Sequence, residues 1–496
     1  MARYGIDDFP TAVRFAAGLF MALLAGCAVG PDYKRPEATA TMPPTYAGAT
    51  NEWKVAEPQA HLPKRDWWKV FGDAELNRLE ADAATANQEL KAAVAGFDQA
   101  RALADVARSG LFPHIGLSAS ATRQGDSLNR PINGKRAGTG QTATYNDFQV
   151  PLDLTYEVDL WGRVRRSLES ARAQERASAD DLESIKLAIQ AEVAVDYFTL
   201  RALDEENALL RSSVEVFRKS LELTQNRRAG GIASDLDVAQ AETVLKTTQA
   251  QLPATMLQRA QFEHALAVLA GQPASSFHLA EQALDVPPPT IPPGLPSELL
   301  ERRPDVAAAE RRMAAANASI GVAKAAFFPT IQFNGLAGLE SLNAGTVFNW
   351  QSRFWSLGPS LTVPLFDAGQ NSAKLRATRA AYDQAVANYR QSVLAAFADV
   401  EDNLAAQSLL AIQTEAQTAA LQAARKQLEI ADNRYRAGLV TYLEVATAEN
   451  TALGVERTAV QLRGQQLVAA VSLVKSLGGG WVDPTVASQS SRATNR

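Results

Sequence analysis

Histidine and cysteine, two residue types that often carry out catalysis, are scarce in this chain of 496 residues, which has four histidines and one cysteine. None of its histidines has the spacing of a zinc-binding helix or a partner that suggests a catalytic triad. They are His61, His114, His264 and His278. A nucleophile elbow, a phosphate-binding loop and a dinucleotide-binding fingerprint are also absent from the sequence. The sequence therefore favours a protein that is not an enzyme and has neither catalytic residues nor metal ligands.

One residue, Cys27, does have a specific chemistry available to it. It ends the string LAGC at 24–27, which resembles a bacterial lipobox, where the thiol takes a diacylglycerol. Residues 1–26 read as a signal peptide, because basic residues precede an apolar run that is too short to span a bilayer. No second cysteine exists, so a disulfide is excluded, and the alternative for Cys27 is a small buried hydrophobe. We expect a mature chain that begins at Cys27 and carries a covalent lipid but no other cofactor.

Composition and charge narrow the class of protein further. The chain is 46% hydrophobic and 21% charged, as globular proteins are, and its net charge is −5. Because no long basic run occurs, nucleic acid is a poor partner. No stretch after the signal peptide approaches the ~18 consecutive apolar residues of a transmembrane helix. If the chain crosses a membrane, strands must do so.

The mature chain contains an internal duplication with unusually long helical runs. Residues 226–242 match residues 433–449, which follow at an offset of 207. Each copy has one run without glycine or proline that is rich in strong helix formers, at 163–229 and at 370–437. Such a run would form a helix of about 100 Å, which a compact fold cannot contain.

The duplication divides the chain into repeats and connecting segments. The predicted segments are a signal peptide at 1–26, a lipidated N-terminal and equatorial segment at 27–72, a first repeat at 73–272, a proline-rich equatorial linker at 273–296, a second repeat at 297–478 and a C-terminal tail at 479–496. Further helices at 232–270 and 439–477 would return antiparallel to the long ones, with a kink at Pro253.

Four segments have the alternating pattern of strands rather than the period of a helix. They are 113–123, 146–160, 329–339 and 354–366. Each is long enough for the ~9–11 residues of a tilted transmembrane strand. Four strands cannot close a barrel as wide as a channel, and an open edge in lipid leaves backbone groups unsatisfied. We therefore expect several chains to contribute strands, with soluble hairpins on a coiled-coil stalk as the alternative.

The turns after the two long helices carry glycines and charged side chains. Gly230 and Gly231 form the first turn, and Gly438 forms the second. The basic residues beside them are Arg227, Arg228, Arg434 and Arg436. Asp237 and Glu444 occupy equivalent positions after the two turns. The spacings Ser234-x-x-Asp237 and Thr441-x-x-Glu444 match a capping box, so these carboxylates could simply satisfy helix N-termini, while the arginines could favour helix C-termini.

Several motifs, taken in order, resemble the TolC-like outer-membrane channels, in the NodT-like lipoprotein branch that serves resistance-nodulation-division pumps. They are CAVGPDYKRP at 27–36, WWKVFGDAELNRLEADAATANQEL at 67–90, ERRPDVAAAE at 301–310, PLFDAGQ at 364–370 and the paired turns NRRAGG and NRYRAG. The resemblance implies an α+β membrane protein that forms a homotrimer. Four strands from each chain would make a twelve-stranded transmembrane β-barrel, continuous with a long periplasmic α-helical barrel and a mixed equatorial domain.

The resemblance also implies a function and partners. The protein would be the passive outer-membrane channel of a tripartite efflux pump for drugs, other toxic small molecules or metal ions. Its partners would be a periplasmic adaptor (membrane fusion) protein, an inner-membrane transporter of the resistance-nodulation-division class and outer-membrane lipid. A protein-secretion channel and a periplasmic coiled-coil scaffold lipoprotein without a pore are the alternatives, and the residues do not identify the cargo.

Residue roles at the turns follow from the resemblance alone. It implies a periplasmic gate in which Glu444 contributes to an acidic ring and Asp237 forms a latch with Tyr435. It also implies that an adaptor docks at the tip formed by Gly230, Gly231, Arg434 and Gly438. Thr447 stands where some relatives have a second aspartate, so that the ring would be single.

Overall fold

The computed structural model describes residues 28–36, 66–125, 127, 131–132, 135–136, 144–289, 291 and 302–479. The signal peptide, Cys27, residues 37–65 of the predicted N-terminal segment, residues 290 and 292–296 of the predicted linker, residues 297–301 of the predicted second repeat and the tail from residue 480 lie outside the described residues. The predictions made for them stay predictions.

Helices account for most of the described residues. They are α1 (Ala74–Ala86), α2 (Gln88–Ser109), α3 (Arg163–Ala229), α4 (Asp235–Leu269), α5 (Pro304–Ala325), α6 (Gln370–Arg436) and α7 (Tyr442–Ser476), preceded by a short 3-10 helix at Trp67–Phe71. Helices α3 and α6 have 67 residues each, and they coincide almost residue for residue with the two runs that lack glycine and proline. Helix α4 continues through Pro253.

Both long helices begin at a carboxylate that caps their first turn. The Asp159 carboxylate accepts hydrogen bonds from the backbone N–H groups of Val164 and Arg165 at 3.0 and 2.9 Å. The Asp367 carboxylate does the same for Gly369 and Asn371, both at 2.9 Å. Such a side chain satisfies N–H groups that have no partner within the helix and favours its positive end.

The strands form one antiparallel sheet and a separate small hairpin. They are β1 (His114–Leu117), β2 (Ser120–Gly125), β3 (Pro131–Ile132), β4 (Lys135–Arg136), β5 (Thr144–Val158), β6 (Thr330–Ser341) and β7 (Arg353–Thr362). In the sheet, β1 and β2 both pair with β5, β5 pairs with β6 and β6 pairs with β7. Strands β3 and β4 pair only with each other.

The first and last strands of the sheet differ from the sequence expectation. The segment 113–123 is interrupted, because β1 ends at Leu117 and β2 starts at Ser120 in the same register along β5. Pro151 of β5 lies opposite this gap; its carbonyl accepts the N–H of Ser118 at 3.1 Å, but it has no N–H to donate in return, so one bond of the ladder is missing there. Strand β7 ends at Thr362, before Pro364, rather than at residue 366.

The chain forms two compact units. The first comprises the described parts of Met1–Pro36, Asp98–Arg176 and Glu310–Ala387 and contains the sheet. The second comprises the described parts of Glu37–Phe97, Ala177–Ala309 and Asn388–Arg496. In the second unit, the ring of Phe71 packs 4.8 Å from that of Phe198 beside the buried Trp67.

None of the helices that the structure describes combines the length and the apolar character needed to cross a membrane.

Candidate functional site: the paired helical turns

The first turn joins α3 to α4 at residues 230–234. The N–H of Ile232 donates to the carbonyl of Arg227 at 2.8 Å, and that of Gly231 donates to Arg228 at 2.9 Å. Gly231 has φ +75°, in the left-handed region that favours glycine. This is a Schellman ending, in which the turn itself satisfies the last helical carbonyls.

The second turn, at residues 437–441 between α6 and α7, repeats this geometry. The N–H of Leu439 donates to Arg434 at 2.9 Å, and Gly438, with φ +76°, corresponds to Gly231. Gly230 corresponds to Ala437 and has no positive φ. Of the two adjacent glycines, only Gly231 is therefore required by the backbone.

Arg227 ties the first turn to the second. Its Nη1 donates to the carbonyl of Tyr435 at 2.9 Å, and its guanidinium lies 4.5 Å from the centre of the Tyr435 ring. The carbonyl belongs to the last turn of α6 and already accepts the N–H of Gly438 at 2.9 Å, so Arg227 is its second donor. One arginine thus caps the C-terminus of the neighbouring long helix.

Asp237 performs the converse task at the start of α7. With Ser234 it forms a capping box on its own helix, and its second carboxylate oxygen accepts from the N–H of Tyr442 at 3.2 Å. Partial burial acts to raise the pKa of Asp237, but the hydrogen bonds from Ser234 and Tyr442 and the charge of Arg227 outweigh it, so the pKa is lowered. Thr441, the N-cap of α7, makes no side-chain capping bond of its own.

The predicted partners Tyr435 and Asp237 flank Arg227 without a direct hydrogen bond between their side chains. The Tyr435 hydroxyl lies 3.4 Å from Thr224 Oγ1, and its ring packs edge-on against Tyr442 at 5.5 Å. A latch between Tyr435 and Asp237 stays a prediction; within this chain, Tyr442 contacts both, through its ring and its backbone N–H respectively.

Below these contacts lies a buried polar pair. The Tyr442 hydroxyl donates to Glu449 at 2.8 Å and also contacts the Ser220 hydroxyl at 3.1 Å. Burial raises the pKa of Glu449, against the hydrogen bonds that it accepts. The surrounding core joins α3, α4, α6 and α7 through residues such as Leu210, Val244, Ala431 and Val445.

Glu444 lies in the first turn of α7, half-exposed, with its carboxylate 3.4 Å from Arg434 Nη1. The Thr441 side chain does not cap the amide of Glu444, so the capping box predicted by this spacing is not formed. An acidic ring would require copies of the chain around an axis, and the role of Glu444 in it stays a prediction.

Both turns expose large apolar side chains that the sequence analysis did not single out. Ile232 and Leu439 are 70% and 71% exposed, and Leu236 and Leu443 are 66% and 55% exposed. Each pair is separated by the repeat offset, so the surface occurs twice. The signal available in the sequence was an apolar residue at the same place in both turns. We call Ile232, Leu236, Leu439 and Leu443 the apolar tip.

In the first unit, the sheet has one continuous apolar face. The strand register places apolar residues from β1, β5, β6 and β7 side by side on this face. They are Ile115 and Leu117 of β1, Leu152, Leu154, Tyr156 and Val158 of β5, Ile331, Phe333 and Ala337 of β6, and Trp355, Leu357 and Leu361 of β7. Alternate residues such as Asp153, Gln332, Asn334 and Ser360 face the other way. Trp355, Leu357 and Leu361 are 77%, 62% and 64% exposed, so this chain leaves the apolar face uncovered.

Aromatic side chains mark both ends of the sheet. At the end next to α3, Trp161 stacks on Phe328 at 4.6 Å, and Phe366 is exposed. At the other end Phe348 and Trp350 are exposed. The N-terminal segment reaches the first of these ends, where the N–H of Val29 donates to the carbonyl of Trp161 at 3.0 Å. Cys27 itself lies outside the described residues.

No group of three or more histidine, cysteine, aspartate or glutamate side chains among the described residues is arranged to hold a metal ion.

The family model for outer membrane efflux proteins matches residues 80–272 and 295–479, on either side of the proline-rich stretch. The chain belongs to the outer membrane efflux protein family.

Named relatives agree with this membership over nearly the full length. The efflux protein is 34% identical over 472 residues to the outer membrane protein OprJ of Pseudomonas aeruginosa, covering 94% of this chain and 95% of OprJ. It is 34% identical over 467 residues to the toluene efflux pump outer membrane protein TtgF of Pseudomonas putida, covering 92% and 95%.

Solved structures share the fold of this efflux protein. The outer-membrane channel OprN aligns with a TM-score of 0.84 at 31% identity, covering 92% of this chain and 100% of OprN. The Campylobacter jejuni CmeC outer membrane channel aligns with a TM-score of 0.83 at 26% identity, covering 95% and 99%. The efflux protein is thus a channel component of an efflux pump, not an enzyme; it lies in the outer membrane and extends into the periplasm.

Proposed function

We propose that three copies of the chain close their sheets into one twelve-stranded barrel, and that this barrel conducts toxic small molecules out of the cell. The observation that carries the proposal is the continuous apolar face of the sheet. Strands β5, β6 and β7 have 15, 12 and 10 residues, so each is long enough for the ~9–11 residues of a tilted strand that crosses a bilayer.

The two faces of the sheet suit lipid and water respectively. The apolar face, with its exposed Trp355 and Leu357, would contact lipid, and the aromatic side chains at both ends would lie at the two interfaces. The opposite face presents Asp153, Asn334 and Ser360, which suit a water-filled lumen.

The edges of the sheet support assembly from several copies. Neither the outer side of β1 and β2 nor that of β7 is paired within the described chain. In hydrocarbon every backbone N–H and C=O must find a partner, so these edges require other strands. Joining the edge of β7 to that of β1 and β2 in the next copy satisfies both.

The pump partners are proposed to be a periplasmic adaptor protein and an inner-membrane transporter of the resistance-nodulation-division class. A passive channel has no energy source of its own, so the transporter must supply it. The adaptor would bind the paired turns, because the apolar tip there offers exposed hydrophobic surface of the kind found at protein interfaces. The relative TtgF is named as part of a toluene efflux pump, which supports a small organic cargo.

A pair of substitutions on adjacent residues tests the barrel. Leu357 lies on the apolar face and Ser356 on the opposite one. An arginine facing lipid costs about 2–4 kcal/mol near the midplane. Leu357→Arg should therefore reduce insertion into lipid bilayers sharply, whereas Ser356→Arg should insert and change single-channel conductance. Equal insertion of both, with no conductance in the parent, would favour the scaffold alternative.

Cargo and anchoring have separate tests. A deletion strain should become sensitive to small toxic compounds and recover with the parent gene; loss of a secreted protein instead would favour the secretion alternative.

Mass spectrometry of the mature protein should find a lipid on Cys27. In Cys27→Ser, processing should fail while the barrel still inserts, since an acyl anchor is modest beside a membrane-spanning fold.

A further inference from the structure

We propose that a basic cleft beside the sheet binds the anionic headgroup of a phospholipid in the inner leaflet of the outer membrane. The inference goes beyond the channel function. From the proposed function it takes the position of the sheet in the bilayer and the lipid on Cys27.

The cleft lies between the first turns of α3 and one side of α5 and has a volume of about 400 Å³. Arg165, Arg172 and Arg176 line it from α3, and Arg311 lines it from α5. Positions 172 and 176 lie seven and eleven residues after position 165, which places all three on one face of a helix of 3.6 residues per turn. Tyr33 of the N-terminal segment completes the wall.

The charge of the cleft is strongly positive. Arg172 and Arg176 are exposed and form no ion pair with any residue that the structure describes. Arg165 contacts Asp159 at 3.2 Å. Glu169, the one carboxylate among the described lining residues, accepts from the buried Arg166 at 2.7 Å, which also pairs with Asp32, and the four lining arginines outnumber it. Two guanidinium groups without carboxylate partners on one helix face suit a phosphate, which guanidinium binds with paired hydrogen bonds.

The cleft lies at the depth of the headgroups. Strand β5 ends at Val158 and α3 begins at Arg163, so the edge of the hydrocarbon falls near this junction. Arg165 is in the first helical turn, and Arg172 is about 10 Å further along the axis. Side chains on a helix lean toward its N-terminus, which here is the membrane end. The long side chains of Arg165 and Arg172 can therefore extend toward the bilayer surface.

The N-terminal segment indicates which side of the chain the cleft faces. Asp32 pairs with Arg166 at 2.7 Å, and the Tyr33 hydroxyl donates to Glu310 at 3.0 Å, which holds residues 32 and 33 against α3 and α5. The lipid on Cys27, a few residues earlier, has to enter the bilayer. The face that carries this segment must therefore be open to lipid rather than to the lumen.

The test uses the purified full-length protein in detergent and native mass spectrometry. Phosphatidylglycerol, phosphatidylcholine and the soluble headgroup glycerophosphoglycerol are each titrated onto the delipidated protein. The parent should retain phosphatidylglycerol preferentially. The double variant Arg172→Gln with Arg176→Gln should bind it at least about tenfold more weakly, because each basic side chain near an anionic lipid contributes to attraction.

The matched control is Arg376→Gln with Arg379→Gln, which removes the same charge from the corresponding level of α6. It should bind phosphatidylglycerol as the parent does. Equal binding by both double variants, equal retention of phosphatidylcholine by the parent, or competition by glycerophosphoglycerol at equal concentration would each overturn the proposal, the last by indicating a soluble phosphate ligand.

Two further measurements separate the possible failures. Single-channel conductance is recorded for every variant, so that a parent that binds lipid without conducting contradicts the channel and not the cleft. If the double variant does not assemble, a photoreactive phosphatidylglycerol is crosslinked to the parent instead. Labelling should fall on peptides that contain residues 165–176, and labelling elsewhere would overturn the proposal.

Discussion

Arg227 and Tyr435 are 208 residues apart in the chain, yet the guanidinium of the first donates to the backbone carbonyl of the second at 2.9 Å and covers its ring at 4.5 Å. The same side chain therefore makes a charged hydrogen bond to a helix end and a cation–π contact. Because Asp237 reaches the start of α7 from the same turn, the first repeat caps both helices of the second.

Arg227→Gln should loosen the second turn. Losing the cation–π contact and weakening the hydrogen bond should cost about 1–2 kcal/mol locally. Amide hydrogen exchange at residues 434–440 should accelerate accordingly. The control is Arg228→Gln, which removes the same charge but disturbs only an exposed pair with Asp235. Unchanged exchange in the first variant would show that Arg227 does not stabilise the turn.

Asp237→Asn should destabilise the paired turns in a pH-dependent manner. The pKa of Asp237 is lower in the folded protein than in the unfolded chain, so the ionised carboxylate stabilises the fold above the unfolded pKa of about 4. This stabilisation is lost as the pH falls through the folded pKa. Hydrogen exchange near Tyr442 should differ between parent and variant by a constant amount from about pH 5 to 8, and the difference should vanish in stronger acid. Asp235→Asn, two residues earlier in the same helix and on an exposed side chain, should show no such effect at Tyr442.

Gly231→Val combined with Gly438→Val should weaken adaptor binding while the trimer still assembles. The added Cβ at Gly231 meets nothing within 4 Å, so the cost arises from the backbone, with φ values of +75° and +76°. A left-handed conformation costs a side-chain-bearing residue roughly 1–2 kcal/mol. Binding of the cognate adaptor, measured by calorimetry, should fall at least about tenfold. Gly230→Ala, at ordinary φ, should bind like the parent; equal loss there would contradict the argument.

Glu444→Gln should weaken the block of the channel by cations added from the periplasmic side. Three carboxylates around an axis attract cations, and the amide does not. The half-exposed pair with Arg434 should leave part of this charge available in each copy. Asp432→Asn, which removes a carboxylate paired with Arg436, serves as the control in planar bilayers.

The proposed latch is tested in the same assay. If it exists, the double variant Tyr435→Phe with Asp237→Ala should raise conductance; conductance equal to that of the parent would leave Asp237 with its capping role alone.

Glu80→Gln should stabilise the protein more at pH 8 than at pH 5. Glu80 in α1 is fully buried, neither carboxylate oxygen has a hydrogen-bond partner among the residues that the structure describes, and burial raises its pKa to about 9. The folded protein thus retains a proton that the unfolded chain releases above about pH 4.3, so stability falls as pH rises between these values. Thermal unfolding of parent and variant at both pH values checks this. An equal change at both would mean that Glu80 is ionised in the folded state.

The long helices were readable from local sequence, but their partners were not. Helix α3 and the run without glycine or proline both begin at Arg163 and end at Ala229. The two agree because helix propensity, and its interruption by glycine or proline, act over neighbouring residues. The start of α4 is later than expected, at Asp235 instead of residue 232, because the Schellman turn and the Ser234 cap occupy the residues between.

Contacts across the repeats lay beyond such reasoning. The spacing of Ser234 and Asp237 indicated a capping box, which the structure contains. The second oxygen of Asp237 binds an N–H that is 205 residues away, and that contact depends on how four helices pack. Likewise, the gap between β1 and β2 follows from Pro151 on another strand, whereas the alternation of Ile115, Leu117 and Ala119 continues through it.

The two free edges of the sheet are different from each other, and this has a genetic consequence. In the proposed barrel, the edge from the first repeat of one copy joins the edge from the second repeat of the next, so contact between copies would be head-to-tail and every copy would have to offer both. A subunit damaged only along β7 would still join its healthy neighbour through β1 and β2. In a cell that carries both the normal and the damaged gene, damaged subunits would join intact ones in rings that never close. The mutation should therefore be dominant. When half of the subunits are damaged, resistance should fall well below half of the normal level.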